Sequence, residues 1–441
     1  MFNSPDELWK QSCLCLSGGG FRATLFHLGV ILRFNELGAL SRLNTITSVS
    51  GGSILNGLLA CNWSQLTRDE KGVFTNLEEV VAEPMRQFCA KDLRTPIMLG
   101  TRLNPLNWRK VIRDHLSVSS NFLAEGYEPL YYGARLSELP APCLSVPSAH
   151  APRFVFCATN EGSGACWEFH SGPEALMGES SLGYCGVGHT RVSDAVAASS
   201  AFPPGFSAFR LEIPRRTPFY PHPAGGEPQF PLRRTQGQDD QLPTTILLTD
   251  GGVYDNLAVE PVWDSLPVMF VSDAGLPFEA AVRVDQFFLS RLKRTANIGL
   301  GQVTDIRKRW LKENFLNDKR FGAIFALDSD LEKIWGNGKV PMSERHGYGR
   351  DARKSIERVR TDLDAFNDAE IACLENHGYA MANAALLAHF HDDCPNMNSR
   401  FRWPHLQWCR DGKVVQALAH SHSRKIAGDV CRYLIGRVLR K

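Results

Sequence analysis

The stretch Thr47-Ser48-Val49-Ser50-Gly51-Gly52-Ser53 places a serine between two predicted elements of secondary structure. The residues before it are β-prone and residues 54–60 are apolar at helical spacing, so we predict a strand, a tight turn and a helix. Small neighbours allow the strained bend that exposes a nucleophilic serine at Ser50, and the following helix directs its positive end there. Ser48 stands where glycine is usual, and a serine- and glycine-rich turn that only caps a helix has a similar sequence.

Three consecutive glycines, Gly18, Gly19 and Gly20, follow a short apolar segment at residues 12–16 that predicts a buried strand. Apolar side chains then recur at helical intervals over residues 23–37, so the glycines precede a helix. Consecutive backbone amides at a helix N-terminus form an anion-binding loop. The spacing departs from that of dinucleotide-binding loops, so a developing oxyanion is the better-matched guest. A plain glycine turn explains one or two glycines more easily than three.

A predicted strand at residues 244–249 leads directly into Asp250-Gly251-Gly252. This aspartate is either a simple turn residue or a carboxylate exposed beside the serine turn. Residues 10–60 predict the order strand, loop, helix, strand, turn and helix, which favours a parallel sheet with helices on its faces. Open α/β sheets place their active sites at the carboxyl ends of strands, where both loops are expected to lie.

The remaining patterns predict a mostly helical insertion, about residues 62–150, and a surface loop at 211–243. We also predict a strand at 153–159 with an antiparallel or edge neighbour at 166–170, a small-residue helix from Val192, a strand at 267–271, a basic helix at 285–315, a strand at 321–327 and one or two helices at 356–388. We therefore predict a catalytic domain at residues 1–275 and a mostly helical region, residues 276–441, packed on it or extending it.

Length and composition are those of an ordinary globular protein, with 441 residues, 43% hydrophobic and 22% charged. The 49 basic and 47 acidic residues leave a formal charge of +2, so no overall field attracts a nucleic-acid polymer. The N-terminus lacks the pattern of a secretory signal, and no apolar run of about 18 residues occurs. We expect a cytoplasmic protein that contacts a membrane peripherally at most.

The twelve cysteines form no paired framework of zinc-binding or disulfide type. Cys13 and Cys15 are expected on one face of a strand, as buried reduced thiols. The histidines in segments 389–394 and 420–422 have no partners at a known ligand spacing, so we interpret them as polar loop residues. We predict neither a metal nor a cofactor.

Taken in order, Gly18-Gly19-Gly20-Phe21-Arg22, Ser48-Val49-Ser50-Gly51-Gly52, Ala198-Ser199-Ser200-Ala201-Phe202-Pro203-Pro204 and Asp250-Gly251-Gly252 resemble the patatin-like phospholipases. The resemblance covers roughly residues 12–275. It implies a three-layer α/β/α fold with a mainly parallel central sheet, helical insertions and a helical C-terminal region. It also implies a lipid acyl hydrolase of phospholipase A type that forms an acyl-enzyme on a serine–aspartate dyad without a catalytic histidine.

Carried over by position, the resemblance makes Ser50 the nucleophile and Asp250 its partner. The oxyanion hole would comprise Gly18, Gly19 and Gly20 with Arg22 in support, and Gly51, Gly52 and Gly251 would be supporting residues. Ser48 and Ala23 replace glycines of the family pattern, but both are small. His27, the histidine nearest in sequence to these motifs, falls within a predicted helix and is interpreted as structural.

The sequence leaves several alternatives open. An acyltransferase would use the same dyad, a nucleotide-binding module would use the glycine loop for phosphate, and a catalytically silent scaffold would keep only the fold. The partner implied by the resemblance is a phospholipid or other lipid ester, and a regulatory small molecule remains unidentified. Residues 423–441 form an amphipathic basic pattern that predicts a helix, docked on the core or meeting a lipid surface.

Overall fold

The chain is built around one mixed β-sheet, with ten strands in the described part of the computed structural model. Apart from the side chains of residues 100–103, 289 and 293, the structure describes residues 2, 4–103, 120–140, 151–203, 205–215, 217–220, 244–275, 285–336, 340–396, 399–423 and 430. The strands are β1 (Ser12–Leu16), β2 (Thr45–Val49), β3 (Arg153–Asn160), β4 (Cys166–His170), β5 (Leu176–Glu179), β6 (Gly183–Gly186), β7 (Phe209–Glu212), β8 (Thr245–Asp250), β9 (Val268–Asp273) and β10 (Phe321–Ala326).

The middle of the sheet is parallel, in the order β10-β9-β1-β2-β3. Strands β4, β5 and β6 extend it antiparallel beyond β3, and β8 pairs antiparallel with both β3 and β7. Every residue of β1 and β2 is buried, as expected for parallel strands covered on both faces. The predicted α/β class with a mainly parallel central sheet is confirmed.

Helices cover the sheet, and those of the described residues are α1 (Pro5–Lys10), α2 (Gly20–Glu36), α3 (Gly51–Asn62), α4 (Glu83–Cys89), α5 (Arg94–Leu103), α6 (Ser120–Tyr131), α7 (Val192–Ser199), α8 (Gly252–Asp255), α9 (Phe288–Leu316), α10 (Leu331–Gly336), α11 (Arg350–Glu357), α12 (Asp368–His389) and α13 (Asp411–Leu418). A π-helical segment, Glu78–Ala82, precedes α4. Short 3-10 turns occur at Leu40–Arg42, Trp63–Gln65, Leu136–Glu138, Glu260–Val262, Met342–Glu344 and Leu406–Trp408.

Helices α2 and α12 cross in backbone contact, which places the C-terminal region directly against the first helix of the sheet. A Cβ added to Gly29 would lie 1.9 Å from the carbonyl oxygen of Glu375, and one added to Gly378 would lie 1.9 Å from that of Phe26. Larger residues at either glycine would force the helices apart. One hydrophobic cluster runs from α2 through α12, and β10 extends the sheet beside β9. The region after residue 275 therefore shares the core of the residues before it.

The boundaries of several elements differ from those that the sequence predicts. Helix α2 begins at Gly20, not at residue 23, because the amide of Ala23 already donates to the carbonyl of Gly19 at 3.3 Å. Strand β7 includes residues 211 and 212, which we expected in a loop. Residues 104–119 and 141–150 of the predicted insertion, most of the predicted loop at 211–243 and most of the predicted helix at 423–441 lie outside the described residues.

Two further sequence predictions concern cysteines and membranes. The Sγ atoms of Cys13 and Cys15 lie 3.9 Å apart within one buried cluster, so these thiols share a face of β1 as predicted. The described cysteines are free thiols. No helix in the described ranges is both long and apolar enough to cross a membrane.

Candidate active site

The ends of β2 and β8 bring Ser50 and Asp250 together. Strand β3 pairs with β2 up to the contact of Cys157 with Val49, and its next residue, Ala158, pairs with Asp250. Because β4 occupies the other side of β3, β8 must approach on the side of β2. The two strands therefore meet end to end, which places the Ser50 hydroxyl beside the Asp250 carboxylate, close enough to lower its pKa.

The backbone of Ser50 is strained in the way that a nucleophile turn requires. Its φ of 51° and ψ of −117° are rare for a residue with a side chain. The Ser50 amide donates to Ser199 Oγ at 2.9 Å, and its carbonyl accepts from the amides of Ser53 and Ile54 in the first turn of α3. These bonds hold the serine at the N-terminus of a helix, where negative charge is stabilised.

A buried network of serine hydroxyls supports this turn. Ser199 Oγ donates to the Cys157 carbonyl at 2.6 Å and lies 2.9 Å from Ser53 Oγ. Ser53 in turn lies 3.0 Å from Ser48 Oγ, which donates to the Val155 carbonyl at 3.1 Å. Ser48, which stands where the family pattern has glycine, is therefore accommodated by hydrogen bonds to the turn and to β3.

The Asp250 carboxylate is buried, with only 2% of the residue exposed. Burial raises the pKa of Asp250 to about 6, although hydrogen bonds from the Gly252 amide and the Ser50 hydroxyl partly oppose this. The Gly252 amide lies 2.7 Å from Oδ1, and Thr159 Oγ1 fixes the Asp250 carbonyl at 2.9 Å. A carboxylate with this pKa is a better proton acceptor near neutral pH than an exposed aspartate.

The glycine loop lies beside Ser50, but its three amides have different environments. The Gly18 amide donates to the Asn256 carbonyl at 3.2 Å and is thereby engaged. Within the described residues, no protein acceptor receives the amides of Gly19, Gly20 or Gly51. A Cβ on Gly51 would lie 2.2 Å from the Gly20 carbonyl, so the loop and the serine turn are in backbone contact. Three unengaged amides thus occur where a reacting ester oxygen needs donors.

The other glycines predicted as supporting residues lie in tight backbone contacts. A Cβ on Gly52 would lie 2.5 Å from the Leu16 carbonyl oxygen, and one on Gly251 would lie 2.3 Å from that of Cys157. Gly19 has a φ of 144°, and its Cβ would lie 2.8 Å from the carbonyl oxygen of Ala274. Side chains at these positions would separate the loops that form the site.

The Arg22 guanidinium points away from the serine and anchors a segment of the C-terminal region, residues 357–364, which we call the strap. It donates to the carbonyls of Glu357 at 3.2 Å, Val359 at 3.0 Å and Ala274 at 2.8 Å. Burial lowers the pKa of Arg22 to about 10, which leaves it charged at neutral pH. Arg22 therefore supports the glycine loop through the strap.

The strap also contacts the glycine loop directly. The Phe21 amide donates to the Asp362 carbonyl at 3.0 Å, and a Cβ on Gly20 would lie 2.6 Å from that same oxygen. An ion pair joins Asp362 to Arg94 at the start of α5, so the strap links the loop to the helical insertion. A buried cluster of Arg360 with Asp364 at 2.7 Å and Glu370 at 2.5 Å fixes its far end.

Sequence reasoning missed two residues of this site. Ser199 enters the sequence analysis only within the motif Ala198–Pro204, without a role of its own, and the sequence gives no signal for Asn256. The Asn256 side chain fits among three glycines, because a Cβ on Gly18 or Gly252 would lie 2.4 or 2.6 Å from its Oδ1, and one on Gly275 would lie 2.7 Å from its Nδ2. Only the convergence of these loops in space reveals that position.

His27 lies below the glycine loop and is bonded away from the serine. Its Nδ1 lies 2.7 Å from Ser272 Oγ and its Nε2 lies 2.9 Å from the Ser17 carbonyl. Burial lowers the pKa of His27 to about 4, so the ring is neutral. Among the residues that the structure describes, no group of His, Cys, Asp and Glu could hold a metal ion. The titratable group beside Ser50 is therefore Asp250.

A strained serine next to a buried carboxylate and unengaged amides is typical of serine hydrolases that use aspartate in place of histidine. The comparisons with known proteins give the family. A family model described as patatin-like phospholipase matches residues 14–263, more than half of the chain, and the chain belongs to this family.

Solved structures with a similar fold include human GIVD cytosolic phospholipase A2, at 14% identity and a TM-score of 0.38 over 93% of this chain. The chain spans 60% of the length of that phospholipase chain. VipD from Legionella pneumophila matches at 14% identity and a TM-score of 0.32, over 93% of this chain and 75% of that one. A search of curated protein sequences finds no match.

Proposed function

We propose that this protein is a lipid acyl hydrolase that cleaves fatty-acyl ester bonds of phospholipids. The observation that carries the proposal is the position of Ser50, at positive φ, next to the buried Asp250 carboxylate and beside amides that have no acceptor among the described residues. Membership of the patatin-like phospholipase family supports a lipid ester as the substrate class.

In the proposed reaction, Asp250 accepts the hydroxyl proton of Ser50 while Ser50 Oγ attacks the ester carbonyl carbon. The carbonyl oxygen becomes an oxyanion, to which the amides of Gly19, Gly20 and Gly51 donate. Collapse breaks the ester bond, and the leaving lysophospholipid oxygen takes the proton from Asp250. Water then attacks the acyl-enzyme and gives a proton to Asp250. The bond between the acyl carbon and Ser50 Oγ breaks, Oγ takes that proton back from Asp250, and a fatty acid leaves.

Asp250 and the backbone amide donors have separate roles in the proposed reaction. Buried in a dry site, the carboxylate is a stronger base than in water, and its proton is held long enough to reach the leaving group. One donor of an oxyanion hole is worth roughly 3–4 kcal/mol in transition-state stabilisation. His27 takes no part in this scheme because it is neutral and bonded elsewhere.

The experiment incubates the purified protein with mixed phospholipid vesicles and identifies the products by mass spectrometry. We expect free fatty acid and lysophospholipid from the wild type and neither from Ser50→Ala. Ser41→Ala is the matched control, because Ser41 is also buried but its hydroxyl donates to the Gly72 carbonyl and belongs to no part of the site. A serine-reactive alkyl fluorophosphonate should label Ser50 in the wild type and in Ser41→Ala.

Three results would count against the proposal. Hydrolysis that persists in Ser50→Ala would mean another nucleophile. Transfer of the acyl group to an added alcohol, without free fatty acid, would identify an acyltransferase on the same residues. A wild type that neither reacts with the fluorophosphonate nor cleaves any ester would be a scaffold, or a nucleotide-binding module if nucleotide alone raises its Tm.

A further inference from the structure

Helix α9 extends well beyond the edge of the sheet at which the candidate active site lies. Lys308 pairs with Asp273, the last residue of β9, and Arg307 pairs with Glu260 at 2.7 Å and with Asp255 at 3.6 Å. From there the helix runs back along the sheet, with Leu311 buried and Phe315 against Gly322 of β10. Residues 288–306 therefore project past the carboxyl edge by roughly 28 Å, at 1.5 Å per residue.

The projecting part is unusually exposed for a helix with apolar side chains. No described side chain from residue 285 to residue 310 is buried. Six large apolar side chains of α9 are exposed. Ile298 and Leu316 lie elsewhere on the helix, and the other four are Phe288 at 72%, Leu292 at 57%, Val303 at 37% and Trp310 at 54%. At 100° per residue these four lie within an arc of about 60°, and the buried Leu311 lies about 100° from their centre. We call these four residues the apolar stripe.

Between Asp285 and Asp305 the charged residues of this segment are all basic. Residues 286–304 contain Arg291, Lys293 and Arg294 and no aspartate or glutamate. An apolar stripe of this kind beside cations, with a Trp and Phe among its members, matches the boundary layer of a bilayer that carries anionic head groups. A second protein surface that is merely apolar would not require this excess of positive charge.

We infer that α9 docks on the surface of an anionic phospholipid bilayer through the apolar stripe and Arg291. This inference rests on the proposed function, since a lipid substrate is what brings the site to a membrane. Docking would hold the carboxyl edge of the sheet, with Ser50 and the glycine loop, at the surface that contains the substrate. The ion pairs of Arg307 and Lys308 would couple the helix rigidly to that edge.

The test measures co-sedimentation with vesicles in a Ser50→Ala background, so that binding is separate from hydrolysis. Vesicles of equal parts phosphatidylglycerol and phosphatidylcholine are compared with phosphatidylcholine alone. We expect Phe288→Ser/Leu292→Ser to bind the anionic vesicles at least tenfold more weakly, and Arg291→Glu to bind them more weakly in low salt. Met342→Ser/Leu406→Ser is the matched control, with side chains that are 78% and 71% exposed, and should bind unchanged.

Hydrolysis is measured separately with Ser50 restored. The stripe variant should cleave a soluble short-chain ester as fast as the wild type and cleave anionic vesicles at least tenfold more slowly. Unchanged vesicle binding by the stripe variant would overturn the inference. So would a dimer that the stripe substitutions convert to a monomer without loss of vesicle binding, since a second copy would then cover the stripe. Binding through the stripe without hydrolysis of any ester would remove the proposed function and keep the docking surface.

Discussion

Ser199 Oγ lies 2.9 Å from the backbone nitrogen of Ser50 and accepts its hydrogen, although 149 residues separate the two in sequence. The amide of a residue at positive φ cannot join the ladder of β2, so it requires an acceptor from another element. Helix α7 supplies that acceptor at its last residue. The conformation of the proposed nucleophile therefore depends on a helix that packs against β3 and α3.

Substitution Ser199→Ala should lower kcat for a soluble ester roughly tenfold, because the Ser50 amide would lose its acceptor at a cost of about 1.4 kcal/mol. KM should change little. Ser193→Ala, in the same helix and equally buried, is the control and should keep wild-type kcat. Equal kcat values for the two variants would show that the turn at Ser50 keeps its conformation without the Ser199 hydroxyl.

Substitution Gly19→Ala should lower kcat by about 10², with little change in KM. The added Cβ meets the Ala274 carbonyl and the φ of 144° becomes unfavourable, so the loop amides turn from the oxyanion. Gly38→Ala is a matched control, since Gly38 also has positive φ and its Cβ would lie 2.7 Å from the Lys71 carbonyl. Both variants should lose stability, but Gly38→Ala should keep kcat per folded molecule. A loss confined to KM in Gly19→Ala would make the loop a binding element.

The rate should rise with pH through about 6 and then level, because Asp250 must be deprotonated to accept the Ser50 proton. In initial rates on a soluble ester, Asp250→Asn should lower kcat by at least roughly 10³ at every pH. A pH profile without an inflection between 5 and 7 would remove Asp250 as the base.

The same carboxylate should reduce stability at alkaline pH. Its folded-state pKa of about 6 lies above the unfolded value of about 3.9, so the folded state binds this proton more tightly. Stability contributed by protonated Asp250 is therefore lost as pH rises through 6. In urea unfolding at pH 8, Asp250→Asn should be more stable than the wild type, by up to about 3 kcal/mol for two pKa units.

Asp273 provides the opposite case for comparison with Asp250. Burial raises its pKa, but attraction to Lys308 outweighs burial and leaves the pKa below the usual value. Asp273→Asn should therefore destabilise the protein at pH 8, since Lys308 would lose its partner. Destabilisation by both asparagine substitutions would contradict the assigned direction for Asp250.

Substitution Arg22→Ala should reduce the free energy of unfolding by about 3 kcal/mol, because three buried carbonyls lose a charged donor. It should also lower kcat, since the strap no longer fixes the glycine loop. Arg33→Ala is the matched control, as Arg33 is equally buried in α2 but bonds to Asn383 and Tyr379, far along the helix. Arg33→Ala should lose stability and keep kcat per folded molecule.

Local signals explain why the turns around Ser50 and Asp250 could be predicted from the sequence. Each turn combines a β-prone run with glycines that allow close backbone contact. These conformational preferences depend on only a few neighbouring residues. The order of β1, α2, β2 and α3 along the chain could be predicted from the periodicity of apolar residues in the same region. The predicted roles of these residues in catalysis stay predictions until the experiments above are done.

The strap and Ser199 could not be predicted because their contacts depend on tertiary pairing. Nothing in the sequence near Asp362 indicates that its carbonyl accepts from the Phe21 amide. The position of Arg22 beside the glycines suggested support for the oxyanion hole, whereas its guanidinium donates to the strap. The engaged amide of Gly18 likewise depends on Asn256, which the chain reaches only after β8. Sequence patterns show which residue types follow one another, whereas these roles depend on which distant loops meet in the folded protein.

The contact of the strap with the glycine loop has a consequence for protein synthesis. A ribosome releases Gly20 about 340 residues before Asp362, and the second neighbour of β1, strand β9, also emerges late. At 5–20 residues per second this interval is roughly 20–70 s. A nascent chain thus carries Ser50 without a braced glycine loop until Asp362 has been synthesised. Maturation of the site is tied to translation of the strap, so chains that end before the strap would be poor catalysts.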